Sequence, residues 1–183
     1  AVRPVTDISA WTGKIEQAAA SLRSQDNAQK RIGAANDLDE VVDAVCTSIF
    51  ELLPRATHVT VVLRDVDEDR YVPIATRGRD AKAAAGPIPV ARTVFRKVVA
   101  DRAAVLAANA PEAFGQTASI LGASILSTLG VPLWKGDEII GVLQVDNRTS
   151  SGIFRERDLE LVTVLALQAS LAVANARLLR RLQ

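Results

Sequence analysis

The stretch from Ser124 to Asn147, SILSTLGVPLWKGDEIIGVLQVDN, decides how this chain folds. It contains two apolar runs, Ile125 to Trp134 and Glu138 to Val145, and the dipeptide Gly136-Asp137 lies between them. Val, Ile and Leu dominate both runs, and a Gly/Asp dipeptide commonly forms the turn between two short strands. The stretch therefore predicts an antiparallel β-hairpin.

A long helical pattern follows the hairpin and begins after Phe154. Apolar and small residues recur along it in steps of three and four, which is the period of an α-helix. One stripe consists of Leu161, Leu165, Ala172, Leu179 and Leu182, with Gln168 and Asn175 between them. A second stripe consists of Val164, Leu167, Leu171, Ala174 and Leu178. The two stripes predict a C-terminal helix that covers a sheet with one face and meets another helix with the other.

Six segments of this C-terminal half carry a family resemblance. They are Ser127-x-Leu129-x-Val131-Pro132-Leu133, Ile140-Gly141-Val142-Leu143-Gln144-Val145-Asp146-Asn147, Phe154, Asp158-Leu159-Glu160, Leu165-Ala166-x-Gln168-Ala169 and Ala174-Asn175-Ala176-Arg177-Leu178. Together they resemble the second half of a GAF domain, a regulatory module of phosphodiesterases, adenylate cyclases, phytochromes, histidine kinases and AAA+ transcription activators. The resemblance implies an α+β fold related to PAS domains, with a central antiparallel sheet of five or six strands. It also implies terminal helices on one face of the sheet and a ligand pocket on the other.

Composition and charge limit the classes of protein to which the chain can belong. A chain of 183 residues suits one domain with extended ends. The net charge is +1, from 22 basic and 21 acidic residues, so the chain lacks the excess positive charge typical of nucleic-acid-binding proteins. No continuous apolar run reaches about eighteen residues, so no membrane partner is expected. The single Cys46 fits a reducing, cytoplasmic compartment.

The N-terminal region has its own helical pattern. Residues 1–35 are predicted to be a linker and an amphipathic helix, and residues 36–183 to be the GAF-like domain with its long C-terminal helix. The apolar residues of the first helix recur as in a short coiled coil, at Ile8, Trp11, Ile15, Ala18 and Leu22. Two interpretations stay open: the helix packs on its own domain, or it pairs with a second copy of the chain. Because the chain lacks methionine, Ala1 is expected to be a processed start or an internal boundary of a longer protein.

The first half of the domain has the layout of a helix followed by a strand pair. Asp37 and Glu40 have the spacing of a capping box, and Pro54 ends the helix that they open. Residues 57–64 and 70–76 are predicted to be antiparallel strands, and Pro73 places the second strand at a sheet edge. The aspartates of the connecting turn do not complete a calcium loop, so no metal site is expected.

The segment between residues 91 and 122 is expected to enclose a ligand pocket. A helix over residues 91–99, a short strand ending at Leu106 and an irregular segment with a short helix near Ser119 would surround it against the sheet. Small apolar residues and a few hydroxyl or amide groups are the candidate ligand contacts, and no cofactor is expected. These candidates are Val94, Phe95, Ala107, Asn109, Phe114, Ser119, Ile120, Ser127 and Thr128.

Cyclic-nucleotide binding is the specific ligand hypothesis that the resemblance raises. Such GAF domains tend to show Asn-Lys/Arg, a spacer, Phe, three residues and Asp-Glu. This chain has Asn147-Arg148, Phe154 and Asp158, but Leu159 stands where the acid belongs. The alternative interpretation is that Asn147 and Asp158 cap the turn and the start of the last helix.

The sequence favours regulation over catalysis. It has no nucleophile elbow, phosphate-binding loop or Cys/His cluster, and one branch of the family reduces methionine sulfoxide with several cysteines, so we expect that the chain is not an enzyme. The expected function is small-molecule sensing in a larger bacterial signalling protein such as a sensor kinase, nucleotide cyclase or AAA+ activator. The signal would pass to the effector through a homodimer of terminal helices, with contacts at Ile8, Trp11, Ile15, Leu22, Leu171, Leu178 and Leu182. A ligand-free dimerisation module and, less favoured, a small enzyme are the alternatives.

Overall fold

A computed structural model describes residues 8–80, 88–115 and 118–183 of the chain. The strands are β1 His58–Asp65, β2 Arg70–Gly78, β3 Val105–Ala107, β4 Ser127–Lys135 and β5 Glu138–Asn147. The helices are α1 Ile8–Gly33, α2 Leu38–Leu52, α3 Arg92–Asp101, α4 Ala110–Phe114, α5 Ala118–Gly122 and α6 Glu156–Leu182. The described strands form one antiparallel sheet in the order β2-β1-β5-β4-β3, which confirms the predicted α+β fold.

The predicted hairpin is the centre of this sheet. β4 and β5 pair along nearly their whole length, from Ser127 opposite Asn147 to Lys135 opposite Glu138. Gly136 occupies the turn with a φ of 63°, a conformation that glycine adopts without steric cost. All but the ends of both strands are buried. This explains why their sequence is a continuous apolar run instead of an alternating one.

Three helices cover one face of the sheet. The core between them and the sheet is aliphatic and combines α1, α2 and α6 with β1, β4 and β5. Among the described side chains of α1, those that join this core lie at its C-terminal end, Ala28 and Ile32. Arg31 joins α1 to α2 by a two-point ion pair with Glu51 and a hydrogen bond to Ser48. The N-terminal part of α1 therefore extends beyond the packed layer.

Side chains cap α2 at both ends. The Asp37 carboxylate accepts a hydrogen bond from the Glu40 backbone N–H at 2.8 Å, as predicted. The Glu40 carboxylate accepts one from the backbone of Asn36 and not from that of Asp37. Beyond the end of the helix, the Arg79 guanidinium donates to the carbonyls of Phe50, Leu53 and Ala56. It also lies over the Phe50 ring, 4.8 Å from its centroid.

The edge position predicted for the strand with Pro73 is confirmed. β2 pairs only with β1, and the pairing register shifts where Val62 lies opposite Pro73. The connecting turn is closed by the Asp65 carboxylate, which accepts hydrogen bonds from the backbone of Asp67 and Glu68. This carboxylate therefore stabilises a hairpin tip.

The opposite face of the sheet is covered by the shorter helices. Val94 of α3 packs with Ile120 of α5 in one apolar cluster, and Phe95 packs with Val62 and Val142 of the sheet in another. The sequence predicted α5 but left α4 as irregular chain. α4 is one short turn, begun by the Asn109 side chain accepting from the Glu112 N–H, with a proline in its first turn. So short a helix has almost no periodicity to detect.

Gly130 sets the approach of α3 to the sheet, and its replacement is the first test of the fold. A Cβ at this position would lie 2.8 Å from Val98 Cγ2. We expect Gly130→Ala to lower the free energy of unfolding by about 1 to 3 kcal/mol, the usual cost of overpacking a core. Urea unfolding followed by circular dichroism measures the change.

Gly13→Ala is the matched control, because nothing lies within 4 Å of that position on α1. It should be neutral or stabilising by up to about 1 kcal/mol, since alanine is the better helix former. Equal stability of Gly130→Ala and the unsubstituted chain would contradict the close packing of α3.

Candidate functional site

Polar side chains lie on the buried face of β5 that looks toward α3. Leu143 and Val145 point into the helical core, whereas Val142 packs with α3 on the other side. Because side chains alternate along a strand, Gln144 and Asp146 share the α3 side with Val142. Both are fully buried. Buried polar groups in the middle of an apolar sheet need partners, so their hydrogen bonds define the site.

Asp146 is the centre of this polar cluster. Its carboxylate accepts hydrogen bonds from Thr128 Oγ1 at 2.7 Å, Gln144 Nε2 at 3.2 Å and Arg148 Nη2 at 3.2 Å. Burial raises the pKa of Asp146, whereas the Arg148 charge and the three hydrogen bonds oppose that rise. The guanidinium is nearly as buried as the carboxylate, so the two form an ion pair inside the protein.

Two atoms of the cluster have no partner among the described residues. They are Gln144 Oε1, an acceptor, and Arg148 Nε, a donor. An unpaired buried polar atom costs about 1 to 3 kcal/mol. Both atoms belong to groups whose other end is bonded to Asp146, so the two unmet hydrogen bonds lie beside the same carboxylate. A partner that satisfied both atoms would have to supply one donor and one acceptor.

His58 lies beside the cluster at the start of β1. It is opposite Asp146 in the β1–β5 register, and its Nδ1 lies 2.9 Å from Thr57 Oγ1. Partial burial, with a contribution from the Arg148 charge, lowers the pKa of His58 to about 4. The imidazole is therefore neutral at pH 7 and provides one donor and one acceptor.

The structure brings most of the predicted apolar ligand contacts to the α3 side of the sheet. Val94, Phe95 and Ile120 are buried there, and Phe114 is half-buried against both apolar clusters. Ala107 lies opposite Thr128 in the β3–β4 register, so both point to the side of Asp146.

Two further predicted contacts, Ser127 and Asn109, lie away from this site. The hydroxyl of Ser127 donates to the Ala107 carbonyl and accepts from the Phe154 N–H, on the helical side of β4. The strand alternation that turns Thr128 toward the site turns Ser127 away from it. Asn109 is exposed and caps α4, and the side chain of Ser119 lies outside the described residues.

Sequence reasoning did not name Gln144 and Asp146 as site residues, nor His58 beside them, and it considered Arg148 only as part of the cyclic-nucleotide pattern. It treated Gln144 and Asp146 only as part of a segment that carries the family resemblance. The sequence did contain a signal for this site. Gln144 and Asp146 are polar residues at alternate positions of an otherwise apolar strand, which indicates one buried polar face.

Asn147, Phe154 and Asp158, from the pattern typical of cyclic-nucleotide-binding GAF domains, have structural roles here. Asn147 Oδ1 accepts from the backbone N–H groups of Thr149 and Ser150, and Asp158 accepts from the Arg155 N–H at the start of α6. Phe154 is buried in the helical core. The predicted capping role of Asn147 and Asp158 is confirmed.

Cys46 lies on the opposite side of the sheet from the polar cluster. It is buried in the helical core, and burial is the main cause that raises the pKa of its thiol to about 12. A thiol in this state is a poor nucleophile. Among the described residues, no three His, Cys, Asp or Glu side chains are grouped as metal ligands would be.

A surface groove of about 440 Å³ lies at the C-terminal end of α6. It is formed with the tips of the two hairpins, and its wall carries Arg64, Lys135, Arg177 and Glu138 beside Leu178. Arg177 donates from Nη2 to the Arg64 carbonyl, which ties α6 to the end of β1. The groove is thus distinct from the polar face under α3.

The predicted dimer contacts that the structure describes are exposed. Leu171 and Leu178 of α6 are 56% and 58% exposed, and Ile15 and Leu22 of α1 are 64% and 66% exposed. Leu182 is also exposed, whereas the side chains of Ile8 and Trp11 lie outside the described residues. Large apolar side chains in a row on a helix surface are typical of an interaction face.

α6 is also long and apolar enough, by length and composition, to cross a membrane. This evidence is weak, because the helical core buries one side of α6 and core helices of soluble proteins pass the same test.

Comparison with known proteins identifies the family. Residues 35–174 match the GAF domain family, so the chain belongs to that family. GAF domains are mostly regulatory and are generally soluble. No protein with a curated description matches the chain in sequence.

Solved structures with this fold come from signalling proteins and from enzymes. The GAF domain of a phosphoenolpyruvate-protein phosphotransferase from Acinetobacter is 19% identical, with a TM-score of 0.68 over 87% of this chain and 95% of that one. Residues 122 to 287 of a methyl-accepting chemotaxis protein are 24% identical, with a TM-score of 0.65 over 84% and 98%. Free methionine-R-sulfoxide reductase of Neisseria meningitidis, in complex with its substrate, is 19% identical, with a TM-score of 0.68 over 89% and 93%.

The reductase corrects the expectation that the chain is not an enzyme. That expectation depended on the absence of familiar catalytic motifs and on the single cysteine. A GAF fold nevertheless carries out catalysis in the reductase, so this expectation is contradicted. One fold can host many activities, so the absence of familiar catalytic motifs does not exclude an enzymatic function.

The neutral state of His58 predicts a pH dependence of stability. In the unfolded chain the imidazole takes up a proton near its ordinary pKa of 6.5, whereas in the folded chain it does so near 4. Between these values the unfolded state binds more protons, so the free energy of unfolding falls as the pH drops. We expect His58→Gln to make this part of the dependence shallower, and urea unfolding at several pH values from 7 to 4 measures it.

Carboxylates titrate in both proteins and cancel in the comparison, and no other histidine is present in the sequence. The difference is smaller than the full pKa shift implies, because the imidazole is partly exposed. The same pH dependence in both proteins would contradict a neutral, partly buried His58.

Proposed function

We propose that this GAF domain senses a small molecule in a larger, cytoplasmic, bacterial signalling protein and regulates its effector through paired terminal helices. The observation that carries the proposal is the polar cluster of Gln144, Asp146 and Arg148 on the α3 side of the sheet. It combines a buried ion pair with an unpartnered donor and acceptor in the described structure. A few polar atoms among apolar walls are typical of sites for small organic ligands.

The apolar residues around the cluster suit the remainder of such a ligand. Ala107 lies opposite Thr128, which donates to Asp146, and Val94 and Phe95 of α3 are buried on the same side of the sheet. The sequence-predicted contacts Phe114 and Ile120 belong to the same side of the sheet. These residues are proposed to enclose the ligand, while the polar cluster orients it.

Ligand binding at the polar cluster would be coupled to the effector through β5 and α6. Gln144 and Asp146 alternate on β5 with Leu143 and Val145, which pack in the same core as α6. A ligand that favours one position of β5 therefore also favours one packing of α6. It shifts the output only to the extent that it binds the two packings with different affinity.

A ligand-free dimerisation module is the second candidate function. It is favoured by the exposed leucines of α6, which would serve an assembly whether or not a ligand binds. A cyclic nucleotide is the less favoured ligand, because Asn147, Phe154 and Asp158 already have structural partners.

Ligand sensing predicts a thermal shift. The purified chain would be screened against cyclic nucleotides, other nucleotides, 2-oxoacids, amino acids and amides. A ligand at about a hundred times its dissociation constant adds about 2.7 kcal/mol. That should raise the melting temperature by roughly 5 to 10 °C in a domain of this size.

The shift should shrink in Asp146→Asn, which keeps the shape of the side chain but removes the charge that holds Arg148. Asp137→Asn, on the exposed hairpin turn, should respond as the unsubstituted chain does. Silence across the panel would favour the dimerisation module over ligand sensing.

Pairing of the terminal helices predicts a dimer that one surface change can dissociate. The chain should sediment as a dimer at micromolar concentration, and Leu171→Glu with Leu178→Glu should make it a monomer because the charges cannot be buried in the interface. Leu121→Glu changes a leucine that is equally exposed, 53%, on the far side of the domain and should stay dimeric. A monomeric unsubstituted chain would contradict the proposed output.

A further inference from the structure

We infer that the ligand presents a neutral amide or lactam edge to the polar cluster, with its carbonyl on Arg148 and its N–H on Gln144. This inference rests on the proposed sensing function and names the chemical class of the ligand. It starts from the two unmet hydrogen bonds of the described structure, Gln144 Oε1 and Arg148 Nε.

The orientation of the Gln144 amide determines which hydrogen-bonding group it offers. Its Nε2 donates to both carboxylate oxygens of Asp146, at 3.2 and 3.4 Å. Reversal of the amide would place Oε1 against a carboxylate that already pairs with Arg148. The free atom of Gln144 is therefore an acceptor, and it requires a donor from the ligand.

Arg148 requires the opposite group. Its Nη2 is bonded to Asp146, and its Nε has no partner in the described part of the chain. A guanidinium only donates hydrogen bonds, so the ligand must supply an acceptor here. Both unmet atoms belong to side chains that are hydrogen-bonded to the Asp146 carboxylate. A primary amide or a lactam presents an acceptor and a donor side by side and satisfies the two together.

The charge of the cluster disfavours a charged ligand group at this position. Asp146 is fully buried and Arg148 nearly so, and their opposite charges already cancel. An additional buried carboxylate or ammonium would have no counter-charge, and burying an unpaired charge is costly. The neighbouring His58 supplies none, because it is neutral at pH 7. A neutral group thus fits better than either ion.

Three pyridines with different 3-substituents test the inference. Nicotinamide carries the neutral amide, nicotinate a carboxylate and 3-(aminomethyl)pyridine an ammonium group on the same ring. Each is titrated at pH 7 into the full chain labelled with ¹⁵N, and amide shifts give the affinity and the location. We expect nicotinamide to bind at least tenfold more tightly than the other two and to shift the signals of β5 and of the Gln144 side chain.

Two variants test the individual hydrogen bonds. Arg148→Lys keeps the positive charge beside Asp146 but removes the Nε donor. Gln144→Met keeps the side-chain length but removes both the acceptor and the Nε2 donor to Asp146. Each should weaken nicotinamide binding by about five- to tenfold, the usual effect of one lost hydrogen bond. Arg157→Lys, on the exposed side of α6, is the matched control and should leave binding unchanged. If Gln144→Met fails to fold, Arg148→Lys alone still tests the inference.

The outcomes separate this inference from the proposed function. Equal or tighter binding of a charged probe overturns the amide assignment and leaves sensing in place. Unchanged nicotinamide binding in both variants also overturns it, since neither hydrogen bond would then contribute to binding. If none of the three probes binds, the amide assignment is wrong, and if the thermal-shift screen is silent as well, the sensing function is wrong with it.

Discussion

Burial of β5 on both faces is the constraint on which the rest of the structure depends. On one side, Leu143 and Val145 are covered by the helical layer, and on the other Val142 is covered by α3. A strand in this position has water on neither face, so its polar side chains form hydrogen bonds mainly with other groups of the protein. This burial is the reason that Gln144 and Asp146 build a network with Thr128 and Arg148 instead of contacting solvent.

The sequence predicted the architecture better than the site, and the reason is physical. The hairpin, α2, α3 and α6 are visible because apolar periodicity and capping residues such as Asp37 act over a few positions of the chain. The site depends on which side of a strand a residue faces and on neighbours distant in sequence. Ser127 and Thr128 are adjacent, yet only Thr128 reaches Asp146, and sequence patterns do not fix strand parity to one residue.

The polar cluster places a cost in the centre of the domain that an apolar core would avoid. A buried ion pair contributes little net stability, and two unpartnered atoms subtract from it. The aliphatic core on the helical side offsets that cost, because it runs through α1, α2, α6 and three strands. The two faces of the sheet thus have different roles. The helical side stabilises the fold, and the α3 side retains the polar groups that a ligand can use.

Arg79 has a consequence for the exposed margin of the sheet. β2 is an edge strand, and such an edge invites pairing with other chains. Arg79 follows this strand directly and satisfies three carbonyls at the end of α2 and in the loop after it. If β2 separated from β1, those carbonyls would lose their donor as well. Arg79 therefore holds the end of the edge strand against the helical layer. This contact opposes strand exchange and aggregation at that edge.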